Sequence, residues 1–198
     1  MDRILKNNRY RRYSAYNPVL GTGIVMGILA AYNQNAALVT VVNPLASAYW
    51  HIAEFLWLRV AAADVGSTDV QVDIRHDPTV RTGAPAGGSA ITPVDHLVGK
   101  PRVSPALIQF GAVTPANADA GEQRVMARVL EADAAPAFDV GDEWRLDFDV
   151  LRPGGIFVGP RVLGKGESLL VHAFGTAMTA APQLEMFYQF REVQDRTL

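Results

Sequence analysis

At 198 residues, 49% hydrophobic and 19% charged, the chain has the composition of a folded protein and the length of one domain with a substantial core. A formal charge of −2 leaves no field that would draw the whole molecule to nucleic acid or to an anionic membrane. The absence of cysteine excludes disulfides, thiolate metal sites and cysteine nucleophiles, so stability must come from packing or from partners.

The first eighteen residues carry Arg3, Lys6, Arg9, Arg11 and Arg12 against Asp2 alone, with Tyr10, Tyr13 and Tyr16 among them. This predicts a basic N-terminal arm over residues 1–18, outside the core. Arg and Tyr are favoured protein-contact anchors, and they are also what single-stranded nucleic acid binders use for phosphates and bases. With the rest of the chain near neutral, protein contact or a plain solvated tail is the expected role and nucleic acid is not. The candidate contact residues are Arg3, Lys6, Arg9, Tyr10, Arg11, Arg12, Tyr13 and Tyr16.

The apolar run from Val19 to Ala31 includes Gly21, Gly23 and Gly27 and is shorter than the roughly 20 residues that cross a bilayer, so no membrane span is expected. Its Gly-Thr-Gly lacks both the dinucleotide spacing and a P-loop lysine. A strand, a turn at Asn33-Gln34-Asn35 and a second strand over Ala37–Val42 would make residues 19–48 a hairpin extension of a domain covering 19–198. Asn43-Pro44 reads as the cap and first position of a short helical turn. Beyond it Leu56, Leu58 and Val60 oppose Phe55, Trp57 and Arg59, a strand expected to be covered on both faces, while Val70, Val72 and Ile74 alternate with Gln71, Asp73 and Arg75 as a half-exposed strand.

Residues 77–105 hold five prolines and Gly87-Gly88-Ser89, a long loop expected to be functional or docked, with a short strand around 90–93. Strands resume over 106–113 and 124–131. From residue 140 onward, short apolar runs are cut by Pro-Gly, Gly-Pro and Gly-Lys-Gly punctuation, the mark of hairpin-connected strands. In the last run Leu184, Met186, Tyr188 and Phe190 alternate with polar residues, although Phe187 interrupts the pattern. Such half-apolar strands need a second sheet or a closed barrel, so the fold class is all-β, of the kind found in sandwiches and barrels.

No motif assembles chemistry. His51, His76, His96 and His172 lie in four separate segments without an H-x-H or H-x-D pair, so no metal site or cofactor is expected. Asp147 and Asp149 share a strand face with Arg145, which offsets their charge. No serine sits in a nucleophile elbow, and Gly164-Lys165-Gly166-Glu167 reads as a β-turn. The chain is not expected to be an enzyme.

The order WRL, LRPGG, VLGKGESLLVHAF and APQLEMFYQFRE, with the hairpin-like segment from Ala53 to Asp77, resembles the β-sandwich virion proteins of tailed bacteriophages. The likeness spans roughly residues 50–192 and rests on turns and core strands. It implies an antiparallel β-sandwich, a single jelly roll, to which the N-terminal arm and hairpin would be added, found on the virion as a decoration or cement protein of the capsid surface and made in the host cytoplasm. It implies major capsid subunits and copies of itself as partners, with a trimer as the expected oligomer. The rival readings are a receptor- or carbohydrate-binding head-fibre or tail module, which an exposed Trp50, Trp57 or Trp144 would favour, and a cupin-type metal enzyme.

Overall fold

The computed structural model describes residues 10–17, 22–26, 30–63, 69–78, 84–97, 99–116, 123–131, 139–148, 150–152, 156–158, 161–175 and 180–194. Among them there is no helix. The strands, in chain order, begin with β1 Tyr10–Tyr16, β2 Ile24–Val25, β3 Ala37–Val42, β4 Tyr49–Ala62, β5 Val70–Asp77, β6 Ala86–Ile91, β7 Val94–Asp95 and β8 Leu107–Thr114. They continue with β9 Gln123–Glu131, β10 Glu143–Asp147, β11 Val150–Arg152, β12 Ile156–Val158, β13 Arg161–Leu163, β14 Ser168–Gly175 and β15 Gln183–Gln194.

Two antiparallel sheets pack against each other, the sandwich that the alternating sequence patterns require. One runs β10-β4-β15-β1-β7, with β13 also on β4 and β2 on β15; the other runs β6-β8-β3-β14-β5-β9. Four of the pairings are nested along the chain. β1 pairs with β15, β3 with β14, β4 with β10 and β5 with β9, all antiparallel. The first strand thus lies beside the last, and successive inner strands lie beside one another in alternate sheets.

The core between the layers follows the period of two. Leu56, Leu58 and Val60 from β4, Leu184, Met186, Tyr188 and Phe190 from β15, and Val70, Val72 and Ile74 from β5 all point inward and are buried. Phe187 breaks the alternation in sequence but not in space: it belongs to the outer face, stacked between Tyr16 and Phe55.

Several expectations need correction. Residues 10–16 of the presumed arm form β1, hydrogen-bonded to β15 from Tyr10 opposite Val193 to Tyr16 opposite Phe187. Tyr13 and Ala15 are fully buried in the core. Of the charges that suggested an arm, Arg11 is ion-paired with Asp95 and Arg12 with Glu54, both far along the chain. Among the described residues of 19–48 the two strands do not pair as a hairpin: β2 joins β15 while β3, formed over Ala37–Val42 as expected, lies in the other sheet between β8 and β14. β4 is covered on one face only, because Arg59 is exposed and Phe55 and Trp57 are half-buried.

Asn43 does not cap a helix. Its Nδ2 donates to the carbonyls of Tyr49, Leu163 and Gly164 at 2.9, 3.0 and 3.0 Å, tying the β3–β4 connection to the β13–β14 turn. The side chain is buried, so Asn43→Ala removes all three bonds at once, although the Tyr49 and Gly164 carbonyls keep Ser47 Oγ and the Glu167 N–H as donors. It is expected to destabilise by about 2 kcal/mol in a urea melt; a change within a few tenths would show that the connection is held otherwise.

The Pro-rich loop is docked on its own domain. Arg102 reaches β1 and β15, donating from Nε to the Tyr13 hydroxyl at 3.0 Å and from Nη2 to Glu192 at 2.6 Å, with its guanidinium 3.9 Å above the Tyr49 ring. Ser104 Oγ donates to the other Glu192 oxygen at 2.5 Å. Asp95 accepts from Arg11 and from the backbone N–H groups of Leu97 and Arg102. Burial alone would raise its pKa, but these donors outweigh it and hold Asp95 below the ordinary carboxylate value.

Candidate functional site

The two outer faces of the sandwich differ. On the β3-β14-β5 side the outward positions Thr40, Leu170, His172 and Asp73 are buried. Tyr32 contributes to the cover, set edge-on against His172 and Phe174 with the Arg75 guanidinium 3.7 Å from its ring. On the β10-β4-β15-β1 side the outward positions remain half-buried or exposed along the sheet, apart from Ser14 and Glu185.

That second face is built in cross-strand rows fixed by register. Tyr10, Val193 and Trp50 form the first row. Arg12 and Arg191 lie in the next, both bound to Glu54. Ser14, Gln189, Phe55 and Asp147 follow, then Tyr16, Phe187, Trp57 and Arg145, then Glu185, Arg59 and Glu143. A bulge in β4 at Glu54, opposite the Gln189–Phe190 step of β15, lets Glu54 and Phe55 both serve this face. Rings touch across the rows: Tyr16 stacks on Phe187 with centroids 6.5 Å apart, Phe187 on Phe55 at 5.7 Å, and the Arg145 guanidinium lies 4.0 Å from the Phe55 centroid.

Tyr10, Tyr16 and Trp50 are each 42% exposed. Tyr, Trp and Arg are the residues whose truncation most often weakens protein interfaces, because each adds a large rigid contact area to a directional polar group. From the first row to the last the face runs about 30 Å and four strands give it about 20 Å of width. That is roughly 600 Å² in projection, close to one side of a standard protein interface.

Of the residues singled out from sequence, Tyr10, Arg12 and Tyr16 lie on this face. Arg11 is turned toward Asp95 and Lys100, and Tyr13 is buried beneath Arg102, so neither meets a partner there. Arg3, Lys6 and Arg9 lie outside the described residues. Sequence reasoning passed over Glu54, Gln189 and Arg191, whose role depends on strands far apart in the chain; the one sign was the wet side of the β15 alternation.

Among the described residues no group of three or more His, Asp or Glu side chains is placed to hold a metal ion. The histidines are separate: His51 in the core, His76 on Glu167 at 3.0 Å, His96 on Ser14 at 2.6 Å and His172 on the Ala36 carbonyl at 2.8 Å. Asp147 is ion-paired with Arg145 at 2.7 Å, while Asp149 lies outside the described residues. Trp144 is buried, Trp57 half-buried and Trp50 exposed. No family model matches the chain, and neither a curated protein nor a solved structure is detectably similar to it.

Proposed function

We propose that the chain is a jelly-roll virion structural protein of a tailed bacteriophage. It decorates or cements the capsid surface by binding neighbouring major capsid subunits and copies of itself, without catalysis. The strand order supports the jelly roll: the nested pairs leave β10-β4-β15-β1 in one sheet and β3-β14-β5-β9 in the other, the arrangement obtained by rolling up a folded antiparallel ribbon. The observation that carries the docking role is the open face rich in Tyr, Trp and Arg, whereas on the opposite sheet most outward positions of β3, β14 and β5 are buried. Many modest contacts repeated over a lattice then hold a shell by avidity.

The test is binding of the full chain to assembled phage heads. Trp50→Ala and Tyr16→Ala, both at exposed positions, are expected to weaken binding about 30-fold each, the effect of losing about 2 kcal/mol. Unchanged head binding by both variants would overturn the role of the face. Light scattering on the free protein is expected to show an oligomer, with a trimer as the proposed state.

The exposed Trp50 favours a second reading, a receptor- or carbohydrate-binding head-fibre or tail module. Saccharide-dependent quenching of tryptophan fluorescence, abolished by Trp50→Ala and accompanied by no affinity for heads, would select it.

A further inference from the structure

Away from that face, the sandwich has a second open surface at the edge of the six-stranded sheet. β6 is the terminal strand of that sheet among the described residues, and Ala86, Gly87, Gly88 and Ala90 are exposed along it. Beside Ala90 and Ile91, where β6 and the start of β8 meet the Pro-rich loop, lies an open hollow of about 390 Å³. Pro93 and Val103 from the loop and Leu107 from β8 are among its walls.

No charged side chain is among the described residues that line it. Its polar side chains are Thr92, Ser104 and Gln109, and Ser104 is already engaged, donating to Glu192 and accepting from the Ala106 N–H. The loop wall is held in place before anything binds, because Val103 lies between Arg102 and Ser104, both bonded to the Glu192 carboxylate. The chain itself does not cover that wall: Val103 is 78% exposed and Leu107 40% exposed. A lone exposed valine is ordinary, but two aliphatic side chains lining an uncharged concavity leave joined apolar surface that association removes from water.

We infer that this hollow is where copies of the chain meet, Val103 of one copy entering the hollow of the next. An uncharged lining does not select a charged partner, and identical uncharged surfaces meet without like-charge repulsion. The patch offers both an exposed aliphatic side chain and an apolar cavity to receive one, so it is complementary to itself. A contact of this head-to-tail kind closes into a ring, which is the geometry a trimer needs. None of the lining residues belongs to the Tyr, Trp and Arg face, so a ring formed here leaves that face open to another protein. The inference rests on the self-association proposed above, and names the surface that carries it.

The test is sedimentation equilibrium of the full chain over a range of concentrations, at which the parent is expected to self-associate. Val103→Asp and Leu107→Asp, both at exposed positions, put a charge into the contact and are each expected to raise the concentration of half-dissociation at least about 30-fold. Val140→Asp adds the same charge outside the hollow, at a position 68% exposed, and is expected to leave association unchanged. Association indifferent to both hollow variants, or weakened as much by Val140→Asp, would overturn the site. Dissociation by Tyr16→Ala or Trp50→Ala in place of the hollow variants would move the self-contact to the other face and overturn it too. Head binding separates the two readings. A parent that binds heads yet stays monomeric in solution leaves the docking face standing and removes the self-contact. Association abolished by Val103→Asp in a parent without affinity for heads leaves the self-contact standing and removes the capsid role.

Discussion

Arg102→Met is expected to lower the unfolding free energy by about 3 kcal/mol, the lower end of the cost of breaking a buried ion pair, because Arg102 keeps some solvent contact while Glu192 has almost none. Methionine retains much of the apolar stem but leaves Glu192 with the Ser104 hydroxyl in place of the guanidinium, which it also removes from the Tyr49 ring. Burial, with the nearby Glu192 charge, pushes the Tyr13 hydroxyl up to about 12, so at neutral pH it stays protonated and accepts from Arg102 Nε. The same substitution should release the loop that Arg102 clamps. Hydrogen exchange is expected to accelerate at the amides of Leu97 and Arg102, which bond to Asp95, while the centre of β15 stays protected. A urea midpoint close to that of the parent chain, with the loop amides still protected, would mean that the clamp contributes nothing.

Acid should weaken the fold through His51. Its ring is stacked 4.1 Å from the Phe190 centroid, its Nε2 meets the Tyr188 hydroxyl at 2.8 Å, and burial lowers its pKa to about 3 from an ordinary 6.5. Between those two values the unfolded chain binds a proton that the folded chain refuses. Stability is therefore complete above about pH 6.5 and falls as the pH drops toward 3, by about 2 kcal/mol at pH 5 and as much as roughly 4–5 kcal/mol at the bottom of the window. His51→Phe removes this dependence. It also leaves the buried Tyr188 hydroxyl without Nε2, at a pH-independent cost of about 1–2 kcal/mol. Thermal melts at pH 7 and pH 4.5 measure both effects: the gap between parent and variant should narrow or reverse on acidification. Parallel losses in the two proteins would place the acid sensitivity in carboxylates instead.

The alternation in β5 and β15 announces strands with one apolar side, and opposed apolar sides require two layers; to that extent the sandwich is legible from residue order. The Gly164–Glu167 turn is legible too, closed by the Glu167 N–H on the Gly164 carbonyl. The same period of two is present in Tyr10–Tyr16, where Tyr13 and Ala15 face inward and Arg12 and Tyr16 outward. Basic composition obscures it, because nothing local shows that Asp95 and Glu54 will stand beside Arg11 and Arg12.

What residue order determined was therefore the extended backbone, the inward side of most strands, and an inventory without cysteine. The tertiary structure alone decided which strands meet, since β1 finds β15 and β3 finds β14 across most of the chain's length. Pairings of that reach are selected by collective burial and hydrogen bonding and leave no local signature. The outer face rich in Tyr, Trp and Arg is a product of that selection: residues from β1, β4, β10 and β15 become neighbours only through cross-strand register, while Tyr32 packs over the opposite sheet.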